Sequence, residues 1–219
     1  MLIIFDLDGT LLNTIADLAA ATNYALEQCG YPTHSPEAYP YFVGNGVTKL
    51  LERVLPEDMR IQTNIDRMRR HFTEYYEVHM TDLTTPYPGI MDLLTKARER
   101  GYDVAVASNK YQAAVTRLIE DFFPDIKWAA VEGQKEGVPV KPDPSIVFSI
   151  LSACPTPKTK VLYVGDSGVD MVTARRAGVE SAGVTWGFRP VKELQENLAD
   201  NIVSNPEEIL AIADRMAAE

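Results

Sequence analysis

Apolar residues recur along this chain with two different periods. Five short continuous runs, Leu2–Phe5, Val104–Ala107, Trp128–Val131, Val161–Val164 and Gly183–Thr185, with a weaker sixth at Ile202–Val203, are bounded by polar or turn-forming residues. Runs of that length read as strands buried on both faces. Spacings of three and four predict helices between them, with Ile90, Leu93, Leu94 and Ala97 before the second run and Val115, Leu118, Ile119 and Phe122 after it. Strands alternating with helices predict an α/β fold, a doubly wound parallel sheet covered on both faces.

One long stretch breaks the alternation. Residues 15–82 carry helical spacing and no convincing strand: Ile15, Leu18, Ala19, Thr22, Leu26, then Val47, Leu50, Leu51, Val54, then Ile61, Ile65, Met68, Phe72, Tyr75. An all-helical insertion after the first strand is expected. Its return passes through Thr84-Thr-Pro-Tyr-Pro-Gly89, whose prolines and glycine suit a stiff extended connector. The expected division is a core of residues 1–14 and 83–219 with a helical domain of residues 15–82; the alternative is helices that pad one face of a single domain.

Composition narrows the function classes. The 219 residues are 24% charged and 46% hydrophobic, which excludes a disordered acidic tail. With 21 Lys+Arg against 31 Asp+Glu, the net charge of −10 argues against a nucleic-acid partner. A small phosphorylated metabolite stays possible, because one positive pocket or bound cation overrides the distant field. Cys29, Cys154, His34, His71 and His79 are too scattered for a disulfide framework or a zinc site, so a reducing compartment is expected. The first apolar run is interrupted by Asp6 and Asp8 and lacks a basic leader, and no apolar stretch reaches the roughly 18 residues of a membrane span. The expectation is a cytoplasmic protein, monomer or homodimer, without a membrane partner.

Asp6 and Asp8 follow the first predicted strand directly, Asp166 follows Val161–Val164 after one glycine, and Asp170 lies one helical turn further on. Strand C-termini mark the ligand crevice of an open parallel sheet. Converging carboxylates repel by about 4 kcal/mol per pair at 4 Å and an effective dielectric near 20. A divalent cation is the natural remedy, and an all-oxygen set favours Mg²⁺ over zinc, with Mn²⁺ as a substitute. A single Asp after a strand also serves as a helix N-cap. Ser108 and Asn109, at a third strand end, offer a hydroxyl and backbone N–H groups to an anion, or cap a helix beginning near Tyr111. Lys141, in Val138-Pro-Val-Lys-Pro-Asp-Pro144, is either a solvated loop residue or an amine held in one direction by the flanking prolines.

Phe5-Asp6-Leu7-Asp8-Gly9-Thr10-Leu11, Ser108-Asn109-Lys110, Lys141-Pro142-Asp143-Pro144 and Gly165-Asp166-Ser167-Gly168-Val169-Asp170 resemble, in order and form, the four motifs of the haloacid dehalogenase superfamily. The helical insertion resembles that superfamily's type 1 cap. Phe42-Val-Gly-Asn-Gly-Val47, Leu51-Glu-Arg-Val-Leu55 and Val184-Thr-Trp-Gly-Phe-Arg189 are similar to segments of its phosphoglycolate phosphatase group; Asn13 departs from the Asp that many members carry.

The resemblance implies an Mg²⁺-dependent phosphatase acting on a small phosphomonoester, such as phosphoglycolate, through an aspartyl-phosphate. Asp6 would be the nucleophile and Asp8 the proton donor and acceptor. Asp6, the Asp8 backbone carbonyl, Asp166 and Asp170 would hold the metal, with Asp170 bound directly or through an intermediary. Thr10, Ser108, Asn109 and Lys141 would bind the phosphoryl oxygens. From the helical segment, Gly44, Asn45 and Gly46 would form the contact loop, or an ordinary turn. Arg53 would pair with a substrate carboxylate, or stay a surface charge. A phosphomutase, a pyrophosphatase and a catalytically silent binding protein are the alternatives. A dehalogenase is disfavoured by Asp8, and a phosphonate hydrolase would need an activated cap lysine that nothing marks at Lys49.

Overall fold

A computed structural model describes all 219 residues. Strand β1 (Leu2–Phe5) leads into a short strand β2 (Leu12–Asn13), and helices α1 (Ile15–Cys29), α2 (Tyr39–Phe42), α3 (Val47–Val54) and α4 (Gln62–His79) follow without a further strand. The chain returns through β3 (Thr85–Pro86), antiparallel to β2, so a two-stranded ribbon carries both crossings. Then come α5 (Ile90–Glu99), β4 (Asp103–Tyr111), α6 (Gln112–Phe122), β5 (Ala130–Gln134), α7 (Ser145–Ala153), β6 (Val161–Gly165), α8 (Gly168–Ala177), β7 (Glu180–Val184), α9 (Val191–Glu196), β8 (Asn201–Val203) and α10 (Pro206–Ala218). No helix is long and apolar enough to cross a membrane.

The main sheet has six strands in the order β5-β4-β1-β6-β7-β8, and every pairing is parallel. Strand order reverses around β1, flanked by β4 and β6, and a crevice opens beyond the C-terminal ends of those three strands. Alternation within β1 explains the two layers. Ile3 and Phe5 join the larger apolar cluster, which includes Leu93, Leu94 and Ile209, whereas Leu2 and Ile4 join a second cluster with Val147, Ile150 and Ala177.

The larger cluster does not stop at the sheet. It runs through Leu7, Leu11 and Leu12 into Leu18, Leu50, Met68, Phe72 and Tyr76, so the helical segment is packed onto the crevice end of β1. Within that segment α1 lies along α4, with Tyr24 and Tyr75 stacked at 4.6 Å between ring centroids.

Three strand boundaries differ from the sequence pattern. β4 continues past its apolar run through Ser108, Asn109 and Lys110 to Tyr111, because Tyr111 still pairs with Gln134 across a register shift; α6 starts at Gln112. β5 lies two to three residues later than Trp128–Val131, since pairing with β4 begins only at Ala130, while Trp128 packs edge-on against Phe123. β7 includes Ser181, a polar residue buried because Asp200 accepts from both its N–H and its hydroxyl.

Asp17, 3% exposed in the first turn of α1, accepts from the Leu83 and Thr84 N–H groups and from the Thr84 hydroxyl at 2.7–3.1 Å, which ties the outgoing helix to the returning strand. Removing that acceptor strands buried donors. Asp17→Ala should lower unfolding free energy by about 2 kcal/mol, and Asp17→Asn by about half that, in urea denaturation; a change within error of zero for Asp17→Ala would refute the staple.

Candidate active site

The crevice is a cleft of about 670 Å³ that opens to solvent, with Asp6, Asp8 and Asp166 on its acidic side and Val47, Leu50 and Phe72 on its apolar side. Backbone pairing sets the first of these: the Asp6 N–H donates to the Val164 carbonyl at 2.8 Å, continuing the β1–β6 ladder one residue past the strand. Asp6 Oδ1 accepts from Leu7 N at 2.7 Å and lies 2.9 Å from Lys141 Nζ; Oδ2 has no hydrogen-bond partner.

Lys141 is no solvated loop residue. Its side chain is 2% exposed, and Nζ reaches Asp170 Oδ1 at 2.8 Å and the Ala107 carbonyl at 2.9 Å as well as Asp6. Asn109 holds the lysine backbone from both sides, accepting from Lys141 N at 2.8 Å and donating to the Lys141 carbonyl at 3.1 Å. Asp170 forms a capping box with Ser167 at the start of α8, its Oδ2 accepting from the Ser167 hydroxyl at 2.6 Å. Both of its oxygens are therefore already engaged. Asp166 Oδ2 accepts from Phe188 N at 2.7 Å, and Oδ1 has no hydrogen bond.

Oxygens of Asp6, Asp166 and Asp170 come within 4.8 Å of one another, and all three residues are buried. Burial first, and the charge of Asp170 second, push the Asp6 carboxyl up to about 7 despite Lys141. Burial, then Asp170 and Asp6, raise Asp166 well above the ordinary carboxylate range. Burial alone would lower Lys141, but Asp170 and Asp6 more than offset it and hold the amine firmly charged. One ammonium thus faces three buried carboxylates, with free oxygens on Asp6 and Asp166. That donor set fits a hard divalent cation.

Backbone space is as restricted as charge. Gly9 has φ +84°, and a Cβ there would come 2.4 Å from Asp166 Oδ2; at Gly187 it would come 2.2 Å from the Asp166 Cβ. Asp166 is wedged between two glycines because no side chain fits on either side.

Asp8 lies apart from the three acids. Thr14 Oγ1 donates to it at 2.7 Å, and Lys110 Nζ contacts both of its oxygens at 3.0 Å. Lys110, 8% exposed, sits 5.1 Å from the ring centroid of Tyr76 on α4. The remaining residues singled out in the sequence separate into two groups. Ser108, Asn109, Gly44 and Gly46 border the cleft; Thr10, Lys141 and Asp170 lie behind its wall, where Thr10 Oγ1 is buried without a hydrogen-bond partner. Asn45 and Arg53 do not border it. Arg53 donates to the Phe42 carbonyl at 2.9 Å and to Asn45 Oδ1 at 2.7 Å, so two of its five donors brace the Gly44–Gly46 loop. Asn13 sits in the β2–β3 ribbon, opposite Thr85.

With this geometry, residues 3–184, from β1 to the end of β7, match the family described as haloacid dehalogenase-like hydrolase. The chain belongs to that family. Phosphoglycolate phosphatase from Aquifex aeolicus (strain VF5) is 30% identical over 99% of this hydrolase and 98% of that protein. Phosphoglycolate phosphatase from Mesorhizobium japonicum is 31% identical, over 89% and 87% of the two chains. A crystal structure from Lactobacillus delbrueckii subsp. bulgaricus, of a protein assigned as a phosphoglycolate phosphatase, superposes with a TM-score of 0.90 at 35% identity, covering 96% of this chain and 97% of that one. This haloacid dehalogenase-like hydrolase is a phosphoric monoester hydrolase of the phosphoglycolate phosphatase-like group.

Two charged residues of the hydrolase's cleft escaped the sequence reading as site residues. Lys110 was visible only as the third member of Ser108-Asn109-Lys110; its pairing with Asp8 needs β4 to run on, which the apolar pattern did not signal. Arg189 was visible only as the end of Val184-Thr-Trp-Gly-Phe-Arg189, and nothing local marks it as facing the cleft.

Proposed function

We propose that the hydrolase cleaves small phosphomonoesters, phosphoglycolate among them, by way of a phosphorylated Asp6, with Mg²⁺ bound beside Asp6 and Asp166. The observation that carries this reading is Asp6 itself, a buried carboxylate with one oxygen anchored by Leu7 N and Lys141 and the other free at the edge of an open cleft. A carboxylate so positioned is a nucleophile with little orientational freedom left to lose.

Asp6 attacks phosphorus, and the ester P–O bond breaks as Asp8 gives its proton to the departing alkoxide. Water then attacks the acyl phosphate, Asp8 takes up the proton, and the Asp6 carboxylate is released with inorganic phosphate. Ser108 and Asn109 border the cleft, and the Ser108 hydroxyl and the Asn109 backbone N–H would bind the phosphoryl oxygens. Lys141, held by Asp170 and Ala107, favours the ionised form of Asp6 against the effect of burial. Asp6, the Asp8 backbone carbonyl and Asp166 would hold the metal, which would supply positive charge between an anionic nucleophile and an anionic ester. Asp170 acts by holding the amine of Lys141. Proton transfer at Asp8 requires its contact with Lys110 to loosen, and the Tyr76 ring over Lys110 couples that step to the position of α4. The helical segment is thus the cap over the cleft.

The test is inorganic phosphate release from phosphoglycolate, pyrophosphate, sugar phosphates and nucleotides at one Mg²⁺ concentration. Phosphoglycolate turnover is expected, and Asp6→Asn should lower kcat by at least about 10³-fold with the fold retained. Isomerised sugar phosphate without phosphate release would instead favour a mutase, and substantial activity of Asp6→Asn would overturn the nucleophile.

The folded pKa of Asp6, about 7, exceeds its ordinary 3.8, so in the absence of metal its stabilising contribution is complete below the lower value and disappears as pH rises through the higher one. Mg²⁺ binds the ionised form and removes that penalty. The rise in Tm on adding Mg²⁺ should therefore be larger at pH 8 than at pH 5; an equal or smaller rise at pH 8 would contradict the assignment.

A further inference from the structure

Two cations border the cleft besides the acidic side, Lys110 and Arg189, and only one of them is spent. Lys110 is committed to both oxygens of Asp8. Arg189 has a side chain only 14% exposed, yet a single hydrogen bond engages its five donors, from an Nη to the Val43 carbonyl at 3.2 Å. The nearest carboxylate, Glu193, stays 3.8 Å from Arg189 Nε, because its other oxygen accepts from Gly168 N at 2.9 Å at the start of α8.

The backbone that presents Arg189 is fixed at three preceding residues. Trp186 Nε1 donates to the Thr10 carbonyl at 3.1 Å, Gly187 is packed against Asp166, and Phe188 N donates to Asp166 Oδ2. The arginine is therefore tied in position to the very carboxylate that borders the reacting phosphoryl group, by a segment of the α/β core rather than by the cap. Its charge is felt nearby, since burial first and Arg189 second push Arg53 down. An incompletely paired, mostly buried guanidinium beside apolar Val43 and Phe188 is suited to a planar anion that brings two oxygens of its own.

We propose that Arg189 is the specificity-determining residue of this cleft, and that it binds a carboxylate on the leaving alcohol of the substrate. The role expected of Arg53 passes to an arginine of the segment after β7, whose Nη lies 3.9 Å from where a Cβ of Gly44 would stand. This inference rests on reading the cleft as a phosphomonoester site.

The experiment compares kcat/KM for phosphoglycolate with that for ethyl phosphate, which has the same ester and a methyl group in place of the carboxylate, in the parent protein, Arg189→Gln and Arg189→Lys. The parent should prefer phosphoglycolate. In Arg189→Gln the ratio of the two kcat/KM values should fall about 10- to 100-fold, the factor for losing a charge-assisted hydrogen bond, chiefly through KM for phosphoglycolate. Arg189→Lys should keep an intermediate ratio. Equal losses for both substrates, as expected if Arg189 only anchors Val43, would overturn the proposal, as would a parent protein that hydrolyses both esters without preference; phosphatase function would survive either result. A parent protein that releases phosphate from no monoester would overturn both.

Discussion

A single ammonium group, Lys141 Nζ, lies within 2.9 Å of two carboxylates and a carbonyl in the interior of the molecule, and the placement of the reacting groups depends on it. Charges so close interact by about 6 kcal/mol per pair at an effective dielectric near 20, and the desolvation of each ion offsets much of that gain. The cluster persists because many other contacts fix its members. Asn109 clasps the Lys141 backbone, the Ser167 capping box orients Asp170, and the β1–β6 ladder carries Asp6 to its position. Asp166 adds a third carboxylate, within 4.8 Å of the other two and not paired with Lys141, which leaves the cluster incompletely neutralised.

The fold then separates two tasks. The C-terminal ends of β1 and β6 carry Asp6, Asp8 and Asp166, α8 carries Asp170 and the loop between β5 and α7 brings Lys141, while α3 and α4 close the cleft with apolar residues and Tyr76. Continuity of the apolar cluster from Leu7 to Phe72 keeps the helical segment seated on the acids, and the β2–β3 ribbon with Asp17 provides its two crossings. Substrate selection on this account comes from the core segment after β7 as well as from the cap. The glycines around Asp166 make that segment rigid at the point where Arg189 leaves it.

Much of this was readable from residue order. Strand ends bearing Asp6, Asp8 and Asp166 are local features, and a buried parallel strand needs only a short apolar run to be recognised. The helical stretch was equally clear, because its amphipathic spacing continues over several segments. What escaped depends on long-range contacts. The extension of β4 through polar Ser108, Asn109 and Lys110 is imposed by pairing with Gln134, and Ser181 is buried only because Asp200 satisfies it. Likewise, Arg53 follows the glycine loop as expected but turns back on it, whereas the arginine that faces the cleft is 136 residues further on (189 − 53). Proximity in sequence suggested a substrate contact where proximity in space gave a loop brace.

The central claim is that Asp6, Asp166 and Asp170 outnumber the cation among them and so create a site for one dication. Isothermal titration calorimetry with Mn²⁺ or Mg²⁺ tests it most directly. One ion per chain is expected for the parent protein, and loss of detectable binding at the same concentrations for Asp166→Asn. No binding to the parent, or undiminished binding to Asp166→Asn, would contradict it.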